Sequence, residues 1–407
     1  MRRLFAGVSL IALCLLGSDS FGQTQKAVTP RLPVAVDGSF FRALGASPKH
    51  TSSNKMSAAA NAATKQQSTR IVSIPNFSSS FTFQGTVFPF TMLGHKPEAG
   101  GTTEVPTSYV AISFFFDEFV DNNGNNIVID ANALTPAVLE SPEFDRFSYT
   151  SGNTQFTDAI QRAEFFNTIK HKDGDDSWHT LFNDPRMLIP VTVEVPVGSA
   201  VVASLPDGSI TALMDINFLV SQLNTLLQTE GVKVTEVPIF LTHNTVYGDF
   251  QAGVPQDCCI GGFHTAFETN QVGDKMFVQT FAFATWLDSD VSDFIFTDPT
   301  IFADVQALSH ELAELTNDPF VNNVVPNYQI PGAPPGACQN VLEVGDVVEN
   351  LPGAAFPVTI NGFTYHPQTE GLLQWFEGQS PSTAIGGAYS YPDTTKLTSP
   401  FSPCPTK

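Results

Sequence analysis

The segment Ala307-Leu-Ser-His-Glu-Leu-Ala-Glu-Leu-Thr-Asn-Asp-Pro319 constrains this chain more than any other stretch. Its leucines recur at helical spacing and its proline marks a stop, so the pattern predicts an amphipathic helix. His310 and Glu314 stand four residues apart and therefore project from one helical face. An imidazole and a carboxylate in that position can bind one cation.

Glu311 completes a His-Glu-x-x-Glu pattern. In the related H-E-x-x-H helix, the two outer residues bind zinc and the Glu acts as general base on the metal-bound water. By that reading His310 and Glu314 are metal ligands and Glu311 is the catalytic base. A half-buried helix whose His and Glu side chains face solvent has the same pattern, so the motif alone leaves both interpretations open.

The N-terminal region divides into two parts. Arg2 and Arg3 precede an apolar run from Leu4 to Leu16, which predicts a secretory signal over residues 1–22. Because the run is short for a membrane span, we expect an exported protein, extracellular or periplasmic, without an anchor. Residues 23–74 are rich in Ser, Thr, Ala and Gln and hold seven basic residues against one acidic residue. They predict a disordered basic arm, either a spacer or a propeptide.

The remaining chain is strongly acidic, with 38 Asp and Glu against ten Lys and Arg from residue 75 onward. A phosphate-binding surface needs clustered basic side chains, so this composition argues against a nucleic-acid partner. The whole chain contains 35 Phe, and only 14% of its residues are charged, which is enough apolar mass for a large core. We expect one body over residues 75–390.

Four cysteines follow the signal segment, and export to an oxidising compartment allows two disulfides. Adjacent cysteines rarely bond to each other. We therefore expect Cys258 and Cys259 to pair with Cys338 and Cys404, in an order that stays open. Cys404 would tie down the tail, residues 391–407.

Two further segments hold candidate ligands. A disulfide to Cys338 would draw His264 toward Glu343 and Asp346, which lie among Val and Leu where a buried acid needs a partner. We expect one divalent metal, with zinc favoured, although carboxylate-rich sets also suit manganese and calcium. The expected metal ligands are His310 and Glu314 together with one of Glu343 or Asp346, and His264 is a further candidate.

Strand and helix patterns alternate along the body, which predicts an α/β (mixed α+β) fold. The predicted strands are 81–93, 109–116, 126–130, 189–195, 232–242 and 276–287, and the predicted helices are 157–167 and 215–230. The Asp121–Asn126 segment places Gly124 fourth, whereas a calcium-binding EF-hand loop has its Gly sixth. That segment is therefore predicted to be a hairpin turn.

Six segments of the chain resemble a known family: 154–165, 259–264, 309–320, 338–346, 361–366 and 372–376. The family consists of secreted bacterial zincin-like proteins with a Ser-His-Glu-x-x-Glu-x-x-x-Asp-Pro helix and a downstream Glu-x-Gly-Asp. The segments are more distantly similar to the plant phosphate-induced EXORDIUM proteins. The resemblance implies a single large zincin-like metallohydrolase body, in which Glu314 departs from the second His of H-E-x-x-H. His366 and Trp375 are expected to be structural wall residues.

Two functions fit the sequence. The first is a secreted metal-dependent hydrolase, a zincin-like peptidase acting on a peptide or protein substrate. The second is a non-catalytic secreted cell-surface or adhesion protein with a structural metal and disulfides. A structural zinc site is usually filled by four protein ligands, whereas a catalytic site keeps one position open.

Overall fold

The computed structural model describes residues 32–33, 39–44, 49–50, 70–121, 123–169, 178–296 and 302–405. The predicted signal segment and most of the predicted arm lie outside these residues. In the described chain, no helix is both long and apolar enough to cross a bilayer.

The helices are α1 (Ser39–Ala43), α2 (Thr135–Leu139), α3 (Phe156–Glu164), α4 (Phe166–Ile169), α5 (Ile216–Thr229), α6 (Ser289–Ile295), α7 (Gln306–Asn317), α8 (Asp346–Glu349) and α9 (Leu373–Phe376), with 3-10 turns at Pro97–Ala99, Asn132–Leu134 and Ile385–Gly387. The strands are β1 (Leu32–Pro33), β2 (Lys49–His50), β3 (Arg70–Val72), β4 (Asn76–Phe83), β5 (Thr86–Leu93), β6 (Thr102–Val105), β7 (Thr107–Val120), β8 (Asn126–Ile129), β9 (Phe147–Tyr149), β10 (Gly152–Thr154), β11 (His179–Phe182), β12 (Arg186–Met187), β13 (Val191–Glu194), β14 (Ala200–Ser204), β15 (Ile210–Asp215), β16 (Val237–His243), β17 (Thr245–Gly248), β18 (Phe250–Gln251), β19 (Val254–Pro255), β20 (Ile260–Val272), β21 (Lys275–Trp286), β22 (Val324–Gln329), β23 (Cys338–Val341), β24 (Val358–Ile360), β25 (Phe363–Tyr365), β26 (Glu370–Gly371) and β27 (Ser390–Tyr391).

A 13-stranded sheet forms the centre of the body. Eight of its strands follow the order β1-β7-β16-β21-β20-β17-β15-β14, and the other five, β2, β3, β8, β12 and β13, pair with strands of that row. Strand β16 runs parallel to both of its neighbours, β7 and β21, whereas β20 is antiparallel to β21. Helices separate several of these strands in the chain. The α/β (mixed α+β) prediction is therefore confirmed for the described residues.

Both faces of the central strands are buried, because alternate side chains enter two different apolar clusters. On β7, Tyr109 and Ala111 belong to one cluster, and Val110 and Ile112 belong to the other. Strands covered on both faces read as continuous apolar runs rather than alternating ones. The two clusters are completed by α7 on one face and α5 on the other.

Helix α5 forms where the sequence predicts it. The Asp215 carboxylate accepts a hydrogen bond from the Asn217 backbone N–H at 2.9 Å and caps the first turn. Leu219, Leu223 and Leu226 are buried at helical spacing and pack against the sheet.

Helix α7 also lies at its predicted place, but its environment differs from the expectation. All 12 of its residues are buried, so the helix is not amphipathic toward solvent. Two of its polar side chains bond within the helix: Ser309 donates to the Gln306 carbonyl and Asn317 donates to the Ala313 carbonyl. The interpretation of His310 and the Glu residues as a solvated face is therefore wrong.

Two of the predicted elements are divided in the structure, and one predicted turn is present. The stretch 81–93 is two strands, because Gln84 and Gly85 both adopt positive φ and form the two-residue turn of a β4–β5 hairpin. The predicted helix 157–167 is interrupted at Phe165. The Asp121 turn is confirmed: its carboxylate accepts from the Asn123 and Asn125 backbone N–H groups, each at 2.8 Å, between β7 and β8.

The described parts of the predicted arm contact the body. Strands β1, β2 and β3 pair with β7, β20 and β21, and Phe41 of α1 is completely buried in the main core. These described pieces of the arm lie against the body because the otherwise polar arm carries a few apolar side chains that the core accepts. The rest of the arm lies outside the described residues.

The predicted disulfide pairing is wrong. Cys258 bonds to Cys259, and Cys338 bonds to Cys404 across 66 residues. The first two cysteines are completely buried in the main core. Cys338 lies on β23 next to β22, against which the C-terminal segment is held by a hydrogen bond from the Gln329 N–H to the Ser402 carbonyl.

We predict that Cys338→Ala with Cys404→Ala lowers the free energy of unfolding by about 4 kcal/mol, because a loop of that length then gains chain entropy in the unfolded state. Chemical denaturation measures this change. A non-reducing tryptic map should join the peptides 276–396 and 397–407 and leave 234–275 unattached. A cross-link from 234–275 to either peptide would contradict the pairing.

Candidate metal centre

Helix α7 lies against β20 and β21 at a place where the sheet carries very small side chains. Ala282 and Ala284 of β21 face the helix, and Gly262 and His264 of β20 are paired with them in register. A Cβ at Gly262 would lie 2.7 Å from Cγ of Glu311, which is closer than packed atoms come. His264 therefore lies beneath the helix because of strand register. The sequence predicts instead that a disulfide places it there.

The helix and β20 bring two imidazoles and two carboxylates together. His310 Nε2 lies 3.2 Å from Glu314 Oε1, as the spacing of four residues predicts. His264 Nδ1 lies 3.3 Å from Glu311 Oε2 and 3.4 Å from Glu314 Oε2. The two oxygens of Glu314 thus face different imidazoles.

The third part of the centre is the turn before α8. Glu343 Oε2 lies 3.9 Å from His264 Nε2, and Asp346 Oδ1 lies 3.6 Å from His310 Nε2. The Glu314 carboxylate accepts hydrogen bonds from the backbone N–H groups of Gly345 and Asp346, at 3.1 and 3.3 Å. A Cβ on Gly345 would lie 2.5 Å from the His310 ring, so only glycine fits between these residues. All six residues predicted for the site are therefore in one place.

Burial of the centre is nearly complete. His264, His310 and Glu311 have no exposed surface, Glu314 and Glu343 are 1% exposed, and Asp346 is 4% exposed. Two surface pockets of about 300 and 270 Å³ are lined by other residues. The arrangement is closed to solvent.

The ionisable groups within the centre shift one another's pKa values. Burial disfavours the charged imidazole of His264, but the Glu311 and Glu314 carboxylates outweigh it and raise the pKa of His264. Burial likewise opposes ionisation of Glu314, yet the two imidazoles hold the pKa of Glu314 well below its usual range. Glu343 is different: burial and the Glu314 charge both raise its pKa. For Asp346 the same two causes raise the pKa to about 7.

Sequence reasoning missed several polar residues beside the centre. Burial raises the pKa of Glu349 and of Glu370 well above the usual range. Glu349 follows Asp346 by three residues on α8, and that spacing was an available signal. The Gln368 amide lies 3.0 Å from His310 Nδ1, and no local pattern marks it because the two are 58 residues apart.

The expected wall residues have ordinary structural contacts. Trp375 is buried against the rings of Tyr328 and Phe376. His366 is partly exposed, and its Nδ1 lies 2.6 Å from Asp304 Oδ2. Neither contact involves the six residues of the centre.

The residues present suit a divalent metal. His264, Glu314 and Glu343 form one group of possible ligands, and His310, Glu311 and Glu314 form another, with the atoms of each group within 4.8 Å of one another. Ligand atoms bound to tetrahedral zinc at about 2.1 Å lie roughly 3.4 Å apart, close to several separations in this centre. Nitrogen and carboxylate oxygen also suit manganese.

No protein-family profile matches the chain, and neither the curated proteins nor the solved structures include a significant match.

Glu143 is a buried acid near this region. It has no exposed surface, and neither carboxyl oxygen has a hydrogen-bond partner in the described part of the chain. Burial raises the pKa of Glu143 from 4.5 to about 8. Below pH 4.5 the group is protonated in both folded and unfolded states. Between those two values only the unfolded state ionises, so stability falls as the pH rises.

We predict that Glu143→Gln removes this part of the pH dependence. Relative to wild type, the variant should gain on the order of 3 kcal/mol of stability between pH 5 and pH 8, because one pKa unit corresponds to about 1.4 kcal/mol. Urea denaturation at both pH values measures the gain. An equal stability difference at pH 5 and pH 8 would contradict the prediction.

Proposed function

We propose that the protein binds one divalent metal ion, zinc by preference, in this buried centre. The ion and the Cys338–Cys404 disulfide together stabilise the body of a secreted, non-catalytic protein. The observation that supports the proposal most strongly is the convergence of two imidazoles and four carboxyl groups with almost no exposed surface.

The cationic partners of Glu314, Glu343 and Asp346 are the imidazoles of His264 and His310. Ion pairs to Lys or Arg lie elsewhere, at Arg186–Glu236 and Lys396–Asp393. A buried charge without a partner costs several kcal/mol, so carboxyl groups in such a place either stay protonated or bind a cation. A metal ion neutralises several carboxylates at once and replaces their protons.

Closure of the centre favours a structural ion over a catalytic one. A catalytic ion must admit a water molecule and a substrate. The residues of the centre are too deeply buried to admit a substrate in this conformation.

We predict that chelator-treated protein takes up about one equivalent of zinc or manganese, measured by elemental analysis after dialysis. Loaded protein should be more stable than metal-free protein by about 4 kcal/mol at a free metal concentration 1,000 times the Kd. Thermal melting with and without metal measures the change. Wild-type protein without stoichiometric metal would reject the proposed centre.

A metal-dependent hydrolase is the second candidate, and one observation favours it. Strand β2 of the arm pairs with β20 at Ile260 and Gly262, and Gly262 is the residue that Glu311 approaches. A basic segment lying beside the candidate base is the arrangement expected of a propeptide that covers a peptide-binding edge. In this function a peptide or protein would be the substrate, a bound ion would supply Lewis-acid polarisation of its carbonyl, and Glu311 would take a proton from water.

We predict for this second function that metal-loaded protein, cleaved after Arg70, hydrolyses members of a broad peptide library. Glu311→Gln keeps the size of the side chain but cannot accept the proton, so it should reduce the rate about 100-fold or more while retaining metal. Chelator-treated protein is the matched control. Absence of cleavage by wild type, or full activity of the variant, counts against this candidate.

A further inference from the structure

A chain of side-chain amides fixes which nitrogen of His310 carries a proton. The Phe302 backbone N–H donates to Gln306 Oε1, and Gln306 Nε2 donates to Gln368 Oε1 at 2.9 Å. Gln368 Nε2 then donates to the Gly345 carbonyl at 2.9 Å. Because a backbone N–H and a backbone carbonyl end this chain, neither amide can be reversed without losing hydrogen bonds at its ends.

This chain of hydrogen bonds determines the tautomer of the His310 ring. Gln368 Nε2, a donor, lies 3.0 Å from His310 Nδ1, so Nδ1 must be the acceptor. A neutral imidazole that accepts at Nδ1 carries its proton at Nε2. That proton faces Glu314 Oε1 and Asp346 Oδ1, at 3.2 and 3.6 Å. A nitrogen that holds a proton cannot also donate its lone pair to a metal.

Asp346 is engaged in a similar way. Its Oδ2 accepts from Gln339 Nε2 at 2.7 Å, and the Tyr328 hydroxyl donates to Gln339 Oε1 at 2.8 Å. One oxygen of Asp346 faces this amide and the other faces His310.

The opposite side of the centre is arranged differently. In its neutral form the His264 ring donates from Nδ1 to Glu311 Oε2 at 3.3 Å, which leaves the lone pair on Nε2. In the described chain, His264 Nε2 and both oxygens of Glu343 lack a hydrogen-bond partner although they are buried. An imidazole whose other N–H is held by a carboxylate is the usual form of a metal-binding histidine.

We infer that the metal is held by His264, Glu314 and Glu343, with Glu311 orienting His264, and that His310 and Asp346 lie outside the coordination sphere. This inference rests on the proposed metal centre. It assigns the ion to the β20 side of α7, whereas the helix motif points to His310 as a ligand. Gln306 and Gln368 are then positioning residues, since they hold His310 in the form that faces Glu314.

Zinc binding to purified, chelator-treated variants tests the assignment. His264→Gln and Glu343→Gln should weaken zinc binding by more than about 1,000-fold. His310→Gln and Asp346→Asn should keep one equivalent with a loss of no more than about 100-fold, the range usual for residues behind a ligand. His243→Gln, a histidine outside the centre, is the matched control and should bind as wild type does. Circular dichroism and thermal melting establish that each variant is folded.

Nuclear magnetic resonance of full-length protein with ¹⁵N-labelled histidine tests the same point without a variant in the site. On zinc loading, the His264 Nε2 resonance should move to the metal-bound position, and His310 should keep a proton on Nε2. Metal binding at a His310 nitrogen, or loss of zinc in His310→Gln with retention in His264→Gln, would overturn the inference while leaving the metal centre intact. Wild-type protein that binds no zinc would overturn the centre itself.

Discussion

The electrostatic cost of burying ionisable groups beneath α7 is the constraint on which much of this structure depends. Two imidazoles face Glu311, Glu314, Glu343 and Asp346 in a space almost without solvent contact. Each unpaired ion in such a place costs several kcal/mol, while a whole domain is stable by only about 5–15 kcal/mol. The protein therefore needs either protons on its acids or a cation among them. A cation that binds only the folded state turns an electrostatic cost into a net stabilisation.

The close approach of three chain segments follows from residues that lack bulk. Gly262 admits the Glu311 side chain, and Gly345 admits the His310 ring. Alanines on β21 let the helix lie directly on the sheet. A methyl group at either glycine would force the packed neighbours apart, and overpacking of this kind typically costs 1–3 kcal/mol. The two glycines that allow close packing thus lie directly beside the buried ionisable groups.

The centre also acts as a long-range connection. It joins β20, α7 and the turn before α8, and the Cys338–Cys404 bond fixes the chain just before that turn to the C-terminal segment. An ion bound there would hold together parts of the chain that are distant in sequence. Such a connection supports the structural role proposed for the ion.

Local sequence determined the helix, the pairing of His310 with Glu314 and the need of Glu343 and Asp346 for a partner. These features depend on spacing within a few residues or on an acid in an apolar segment, and both can be read along the chain. The mixed α/β class and the Asp121 hairpin turn were predictable for the same reason. The turn at Gln84 and Gly85 was not predicted, because strand-forming residues flank it on both sides.

Only the tertiary structure decided the environment of those residues. His264 reaches Glu311 across 47 residues through strand register, and Gln368 reaches His310 across 58 residues. The complete burial of α7 and the bond between Cys258 and Cys259 likewise depend on how the core closes around them. The sequence by itself determined which groups are able to bind a metal. Packing decided which of their atoms face one another, because contacts between distant segments leave no periodic pattern in the chain.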